Sequence, residues 1–277
     1  MPPDRAPLPL RHAIALGLLQ GPTELLPVSS SAHTSLIPWL CGWSYDTLDG
    51  ERRKGFEIVL HAAGGLAIAT EMRGELRRSM RAAAGAHRAG LALSLLPPAL
   101  AGLLLRGAIE RRLGAPRSIA AALLAGGAAM ALADRRASGA SRRAEDAGSL
   151  DGLALGVAQA LALIPGVSRN GATLAAARAR GFTRRDAALL SWQAALPVVV
   201  GASALEALRV ARQGVPAEAR GALAAGAGAA FGSTLLSARL TRGIRTRGAA
   251  LLPFAAYRCL LAGVVVSRLR SAHNRGG

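Results

Sequence analysis

The chain has 277 residues, and its 34 Lys and Arg against 16 Asp and Glu give it a formal net charge of +18. Apolar residues make up 51% of the chain, which excludes an intrinsically disordered protein, because such chains cannot bury enough apolar surface to offset the entropy of ordering. The two cysteines, Cys41 and Cys259, exclude a disulfide scaffold and a cysteine-rich zinc site.

The distribution of the positive charge separates two classes of anionic partner. A strongly basic chain is typical of nucleic-acid binders, but the arginines here stand in short clusters between long uncharged stretches. That pattern favours helices that span a membrane, with basic loops at the lipid headgroups. We therefore expect membrane lipids, and not nucleic acid, as partners.

Candidate membrane spans follow one another along the chain. The core of a bilayer takes about 20 apolar residues as a helix. The N-terminal stretch has one acid, Glu24, and is broken by prolines, and one charge, Arg258, interrupts the last stretch. The stretches are 12–45, 58–70 (shorter than a span), 89–105, 118–133, 152–168, 187–205, 221–238 and 248–267. They predict an all-α polytopic integral membrane protein without a cleavable signal peptide, in which nearly every loop is basic and none sets the orientation.

An internal repeat divides the chain. The pattern Ala-Leu-Gly-x-x-Gln begins at Ala15 and again at Ala154, and Val-Ser follows at Val28 and at Val167, always 139 residues apart. Duplication therefore predicts a first pseudo-repeat over about 12–133, a polar linker over about 134–149 and a second pseudo-repeat over about 150–268. Apolar segments broken by Gly and Pro at equivalent places in two halves indicate a membrane binding site built from broken helices.

Acid, hydroxyl and imidazole groups cluster in the first broken segment. An intramembrane carboxylate is costly, so Glu24 is expected to face a cavity, a metal or a cation, and Gln20 lies one helical turn before it. Ser30 and His33 are three residues apart, a spacing at which a base can activate a hydroxyl. The alternative is a polar break capped by Ser and His, with Glu24 at an interface.

Donors for an anion cluster in the second broken segment, which contains Pro165, two glycines and a run of polar residues. Glycines let the backbone turn so that its N–H groups converge on an anion, and an arginine adds a guanidinium fork. The donors are Ser168, Arg169, Asn170 and Thr173. The loop lacks the lysine and spacing of a Walker loop. The alternative is a helix cap with a snorkelling arginine, but its place in the repeat favours one site formed jointly with the first segment.

These two segments resemble the two signature motifs of the undecaprenyl-diphosphatase family, the bacitracin-resistance membrane phosphatases. The resemblance runs in order from about residue 12 to residue 268. It rests on Glu24-Leu25-Leu26-Pro27-Val28-Ser29-Ser30-Ser31-Ala32-His33 and Pro165-Gly166-Val167-Ser168-Arg169-Asn170-Gly171-Ala172-Thr173, with further similarity at Phe56-Glu57-Ile58-Val59-Leu60, Ala195-Leu196-Pro197 and Pro253-Phe254-Ala255-Ala256-Tyr257-Arg258.

The resemblance implies two inverted-topology repeats whose re-entrant broken helices meet at a central site. It also implies an enzyme of the bacterial cytoplasmic (inner) membrane that removes the terminal phosphate of undecaprenyl diphosphate and so recycles the carrier lipid for peptidoglycan and other envelope polymers. A homodimer is a further expectation that comes from the resemblance alone.

The same resemblance assigns roles to individual residues. Glu24 would bind a divalent cation, Mg²⁺ or Ca²⁺, or assist proton transfer, and Ser30 would be the nucleophile with His33 as its base or as a general acid. Gln20 stands where the family carries Glu or Gln, so a second acid is absent there, and Glu57 is the substitute to consider. The residues expected to hold the substrate are Gln20, Ser29, Ser168, Arg169, Asn170 and Thr173.

Two questions stay open at this point. The sequence does not decide whether Ser30 is phosphorylated or a water attacks directly. A transporter or flippase for a polyprenyl phosphate is the alternative function, because broken helices in inverted repeats are also transporter architecture. The presence of Ser30 and His33 beside Glu24 favours chemistry, since carrying a phosphate requires an arginine but no base.

Overall fold

A computed structural model describes residues 8–48, 50–82, 85–213 and 217–274. The described residues form thirteen α-helices and two short 3₁₀ helices, Ser44–Thr47 and Ala144–Asp146, and no strand. The helices are α1 Leu10–Leu25, α2 Ser30–Cys41, α3 Gly50–Ala82, α4 Gly85–Leu93, α5 Leu96–Leu104, α6 Arg106–Leu113, α7 Pro116–Arg136, α8 Ser149–Leu161, α9 Arg169–Ala179, α10 Arg184–Gln213, α11 Ala217–Leu240, α12 Arg242–Arg247 and α13 Leu252–His273.

Four helical segments are long and apolar enough to cross a membrane: Pro116–Arg136, Arg184–Leu205, Ala217–Leu240 and Leu252–Ser271. A fifth appears if Gly85–Leu104 and Arg106–Leu113, bent by 64°, count as one span. The all-helical membrane class expected from the sequence is thus confirmed. The four spans contain or overlap four of the predicted stretches.

Three predicted stretches take a different form. Residues 12–45 divide into α1 and α2, and residues 58–70 lie inside the 33-residue α3. Residues 152–168 do not form one helix, because α8 has 13 residues and ends at Leu161, before the Pro165-Gly166 turn. Residues 89–105 are broken where α5 begins, with two prolines in its first turn, where missing N–H groups are tolerated.

The chain forms two compact units. Unit 1 comprises Met1–Leu25, His33–Arg73 and Val199–Leu240. Unit 2 comprises Leu26–Ala32, Gly74–Val198 and Thr241–Gly277. Each unit draws on both halves of the chain, and the predicted boundaries of the pseudo-repeats stay a prediction.

Close packing of α1 on α11 dominates unit 1. A Cβ built on Gly17 would lie 2.4 Å from the carbonyl oxygen of Gly226, and one built on Gly21 would lie 2.4 Å from the backbone of Ser233. Small residues at both positions therefore allow the two helix backbones to touch, as is common in membranes. The apolar core beside this contact contains Leu16, Tyr45, Phe56, Leu60 and Ala230.

Pro22 interrupts the hydrogen bonding of α1. A proline has no N–H to donate to the carbonyl four residues earlier, which here is that of Leu18. The hydroxyl of Ser233 on α11 donates to this carbonyl instead, at 2.5 Å. The helix therefore continues to Leu25 and brings Gln20 and Glu24 to its last turns.

Unit 2 packs α7 against α9 and α13, and α8 against α4, α5 and α9. Glycines again permit the contacts: a Cβ on Gly152 of α8 would overlap the backbone of Gly90 on α4. A buried carboxylate ties α7 to three other parts of the unit. Asp134 accepts hydrogen bonds from Arg178 Nε at 2.9 Å, Arg184 Nε and Nη2 at 2.9 Å, and the Leu251 N–H at 3.1 Å.

A second ion cluster closes the polar segment before α8. The carboxylate of Asp151 accepts from Arg142 Nη1 and Nη2 at 3.1 and 2.9 Å, and from Arg180 Nε at 2.7 Å. Burial by itself raises the pKa of Asp151, but the hydrogen bonds from Arg142, from the Gly148 N–H and from Arg180 outweigh it and lower the pKa to about 2. The same carboxylate raises the pKa of the Arg142 guanidinium.

Candidate functional site

In unit 1, Gln20 and Glu24 share a face of α1, as their spacing predicts. Gln20 Nε2 donates to Glu24 Oε2 at 3.4 Å, and the Gln20 side chain is completely buried. Its other amide atom, Oε1, is buried and accepts no hydrogen bond within the described residues. A buried amide oxygen without a donor is costly, so it marks a place where a ligand would bind.

A second buried oxygen lies near the Gln20 side chain. Gly64 on α3 faces both groups, since a Cβ built on it would be 3.4 Å from Gln20 Cγ and 3.4 Å from Thr234 Oγ1. The Thr234 hydroxyl on α11 is also buried, and among the described residues it has no hydrogen-bond partner. Unit 1 therefore contains a carboxylate, an amide oxygen and a hydroxyl that a cation or a water could use.

Glu57, the substitute second acid, lies on α3 in unit 1. Its Oε1 accepts a hydrogen bond from the hydroxyl of the buried Tyr45 at 3.3 Å. Within the described residues no group of three or more His, Cys, Asp or Glu side chains is arranged to hold a metal ion. A metal bound by protein atoms alone is therefore not indicated, whereas Mg²⁺ commonly takes one or two protein oxygens and completes its shell with water and phosphate.

The first signature turn, Leu26–Ala32, belongs to unit 2. Ser29 has a φ of 79°, and it is the one residue other than glycine with a positive φ among the described residues. Its Oγ accepts the Ala32 N–H at 3.4 Å and lies 3.2 Å from Ser31 Oγ. Ser30 begins α2 and His33, which is 3% exposed, follows three residues later on the same helix. Strain of this kind outside glycine concentrates at functional sites.

The second signature turn also lies in unit 2. Gly166, with a φ of 99°, turns the chain after α8, and Ser168 caps α9 by accepting the Gly171 N–H at 3.2 Å. Arg169 begins α9, and its guanidinium carbon lies 5.7 Å from the centre of the Trp192 ring. This places the predicted phosphate donors at the N-terminal turn of a helix, the end that attracts anions.

Asn170 and Thr173, both predicted to bind substrate, hold α9 to α10. Thr173 Oγ1 lies 2.6 Å from Ser191 Oγ, which donates to Asn170 Oδ1 at 3.3 Å. Thr173 is completely buried and Asn170 is 5% exposed. Their hydrogen bonds fix the orientation of the turn, and their direct contact with substrate stays a prediction.

The two signature turns touch within unit 2. Ser31 Oγ of the first turn accepts the Gly166 N–H of the second at 3.5 Å. The caps also correspond, because Ser29 with Ala32 and Ser168 with Gly171 are pairs that differ by the repeat offset of 139 residues. The structure thus brings Ser29 and Ser31 into the same region as Ser168.

Arg258 of α13 is the residue that sequence reasoning did not select. It is 1% exposed, and it donates to the carbonyl oxygens of Gly166 at 2.8 Å, of Pro27 at 3.5 Å, and of Ala122 and Leu123 on α7 at 3.3 Å. Its place as the one charge in a span-length apolar stretch was the signal that could have found it, since such charges are usually functional.

An apolar cavity of about 930 Å³ opens beside this region in unit 2. Helices α7, α8 and α9 line it almost entirely with Ala, Gly, Val, Leu and Ile. Ser168 and Arg258 contribute polar atoms from the signature turns, and Arg136 and Arg178 belong to the helix ends near the linker. A cavity of this size and composition suits an elongated apolar ligand with an anionic end.

Comparison with known proteins decides the family. The model of a family described as "Bacitracin resistance protein BacA" matches residues 13–265. The chain belongs to this family. Among curated relatives, the undecaprenyl-diphosphatase of Geobacter sulfurreducens is 38% identical over 94% of this chain and 98% of its own length. That of Geobacter metallireducens is 38% identical over 92% and 96%, and that of an Anaeromyxobacter species is 40% identical over 70% and 69%.

Proposed function

We propose that the chain hydrolyses undecaprenyl diphosphate to undecaprenyl phosphate and inorganic phosphate, recycling the carrier lipid for peptidoglycan synthesis and conferring bacitracin resistance. The carrying observation is the contact of two signature turns that share a repeat offset, in a chain whose relatives are named undecaprenyl-diphosphatases. The substrate class explains both features of unit 2, a set of anion donors and an apolar cavity beside it.

The phosphate-binding part of the site is proposed on Ser168 and Arg169. The N–H groups at the start of α9 and the guanidinium fork of Arg169 present positive charge to a diphosphate, and these charges count most as negative charge develops on the leaving group. Ser29 and Gln20 are retained as further substrate contacts. Phosphoryl transfer needs such positioning and charge stabilisation more than covalent chemistry.

The proton-transfer part is proposed on Ser30 and His33. The attacking oxygen, from Ser30 or from a water, gives its proton to His33 and forms a bond to the terminal phosphorus. The bond from that phosphorus to the bridging oxygen breaks and releases undecaprenyl phosphate. If Ser30 attacks, a water then cleaves the phosphoserine by the reverse assignment of acid and base.

A divalent cation, Mg²⁺ or Ca²⁺, fits the oxygen atoms of unit 1. Glu24 and the unpartnered Oε1 of Gln20 would hold it, and waters and phosphate oxygens would complete its shell. When bound, the ion would neutralise charge on the phosphate oxygens. Glu57 is the alternative second acid, and Glu24 would otherwise assist proton transfer.

The finer architecture is part of the same proposal. We propose two inverted-topology repeats with re-entrant broken helices in the bacterial cytoplasmic membrane. Helices α1 and α8 begin 139 residues apart, and so do α2 and α9, which supports the duplication of the broken pair. A homodimer is retained as an expectation from the family.

The apolar cavity is proposed to hold the part of the prenyl tail nearest the diphosphate. Its lining by small residues of α7, α8 and α9 leaves room for a branched chain, and Ser168 and Arg258 lie in the same lining. Burying an apolar chain there would supply affinity that the phosphate groups alone do not.

Release of inorganic phosphate from undecaprenyl diphosphate by the detergent-purified protein tests this function. The assay is run with Mg²⁺, with Ca²⁺ and with EDTA, beside Glu24→Ala and Arg169→Ala. Metal-dependent release that both variants lose supports the phosphatase. Well-folded protein that binds polyprenyl phosphate but releases no phosphate supports the alternative, a transporter or flippase for that lipid.

A further inference from the structure

Arg258 carries a buried positive charge without a carboxylate. Its side chain is almost completely inside unit 2, and all four of its hydrogen-bond acceptors are backbone carbonyl oxygens. Within the described residues no Asp or Glu forms an ion pair with it. Burying a guanidinium among neutral acceptors costs stability, so a charge kept in this way calls for a use.

Two of the four acceptors are equivalent positions of the repeat. Pro27 precedes Val28-Ser29 in the first turn, and Gly166 precedes Val167-Ser168 in the second, exactly one repeat offset of 139 residues later. One guanidinium therefore joins the same backbone atom of both signature turns, through Nη1 to Pro27 and through Nη2 to Gly166. Since a guanidinium is planar and rigid, it fixes the separation of the two turns.

Room for this group is made by a glycine on α7. A Cβ built on Gly126 would lie 2.2 Å from Arg258 Nη2, so any other residue there would displace the guanidinium. A Cβ on Gly171, in the first turn of α9, would lie 3.4 Å from Arg258 Nη1. The guanidinium thus stands near the positive end of the α9 dipole, where a cation is unfavourable and a neighbouring anion would be stabilised.

We infer that Arg258 is a positioning residue of the phosphatase, which holds the Pro27 and Gly166 turns in register and whose uncompensated charge is offset by the substrate's diphosphate. The inference rests on the proposed function for its substrate. It assigns Arg258 an effect on both turnover and diphosphate affinity, whereas a residue that only packs the core would change stability alone.

The experiment compares displacement of the guanidinium with its removal. Gly126→Ala moves the end of a flexible side chain and keeps the charge, and Arg258→Lys keeps the charge but not the planar fork. Arg258→Met removes both. The matched controls are Gly263→Ala, where an added Cβ meets nothing within 4 Å, and Arg178→Lys, which alters another buried arginine that donates to carbonyls in unit 2.

Two quantities are measured for each variant in detergent. The first is kcat and KM for phosphate release from farnesyl diphosphate. The second is the rise in Tm on adding inorganic diphosphate, a measure of binding that needs no turnover. We expect Arg258→Met to lose about 10²-fold in kcat/KM and most of the diphosphate-induced rise in Tm.

The intermediate variants separate the two roles of Arg258. Arg258→Lys and Gly126→Ala are expected to lower kcat while the diphosphate-induced rise in Tm persists, and both controls should leave kcat and KM unchanged. Wild-type kinetics and diphosphate binding in Arg258→Met would overturn the inference, and so would equal kinetic losses in Arg178→Lys. Absence of phosphate release from the wild-type protein would instead refute the proposed function, and the Tm measurements would still decide the binding role of Arg258.

Discussion

Ser29 and Ser168 cap their helices with the same hydrogen bond from opposite backbone conformations. Each Oγ accepts the N–H three residues ahead, but φ is 79° at Ser29 and −61° at Ser168. A positive φ is unfavourable for any residue with a Cβ, whereas −61° costs nothing. The first turn therefore stores strain that its repeat partner does not.

Glycine and alanine substitutions measure this strain. Ser29→Ala should lose about 1 kcal/mol of stability with its cap, and Ser168→Ala a similar amount. Ser29→Gly should be close to the wild type, because relief of the strained φ offsets the lost cap. Thermal unfolding in detergent gives the order of the variants, and Ser168→Gly is the control without strain relief. Equal losses for Ser29→Gly and Ser29→Ala would show that Ser29 is not strained.

Substitutions on the α1 face test the cation. Glu24→Ala should abolish turnover, since it removes the carboxylate among the proposed ligands. Gln20→Glu should lower the Mg²⁺ concentration needed for half-maximal rate, because a second carboxylate replaces a neutral amide oxygen. Phosphate release is titrated with Mg²⁺ for each variant, and Glu57→Gln serves as the comparison for the alternative acid. Turnover near the wild-type rate in Glu24→Ala would remove Glu24 from the mechanism.

Arg169 is expected to depend on the shape of its side chain as well as its charge. Arg169→Ala should lower kcat/KM for phosphate release by about 10²- to 10³-fold, the usual loss of one charge-stabilising donor. Arg169→Lys should also be impaired, because an ammonium does not reproduce a bidentate fork on a phosphate. Steady-state kinetics of both variants check this. If neither kcat nor KM changed, Arg169 would be a headgroup anchor.

The apolar cavity predicts a dependence on chain length. Ala129 lines the cavity, and Ala128, also on α7, does not. Ala129→Phe should raise KM for undecaprenyl diphosphate much more than for a short prenyl diphosphate, since the bulky ring occupies the space proposed for the tail. Ala128→Phe is the matched control and should change neither. A parallel increase in KM for both substrates would argue against a tail in this cavity.

The Asp151 cluster predicts a loss of stability in acid. Its folded pKa of about 2 lies below the ordinary value of 3.8, so its contribution is complete above the ordinary value and is lost as the pH falls through the folded one. The shift corresponds to about 2 kcal/mol. Unfolding of the wild type and of Asp151→Asn is compared from pH 7 to pH 2. The wild-type advantage should hold above about pH 5 and shrink below it; a difference independent of pH would exclude the ion cluster as its source.

Apolar length, proline placement and the repeat were enough to predict much of this protein from its sequence. They gave the helical membrane class, the break between α1 and α2, and the shared face of Gln20 and Glu24, because each follows from local spacing. Arg258 could be noticed as a lone charge, but its partners lie far away in sequence and only the fold brings them to it. The roles of Asn170 and Thr173 illustrate the same limit, since their bonds to Ser191 depend on how α9 packs on α10.

The hydrogen bond from Arg258 to Pro27 joins residues 231 positions apart in the chain. During synthesis the first signature turn leaves the ribosome long before α13 does, so this partner is the last to arrive. Contacts between such distant residues form slowly, because a large loop must close first. The nascent protein is thus expected to acquire its phosphate-handling turns in their final arrangement only when its last helix has been inserted, which keeps every shorter intermediate of biogenesis catalytically silent.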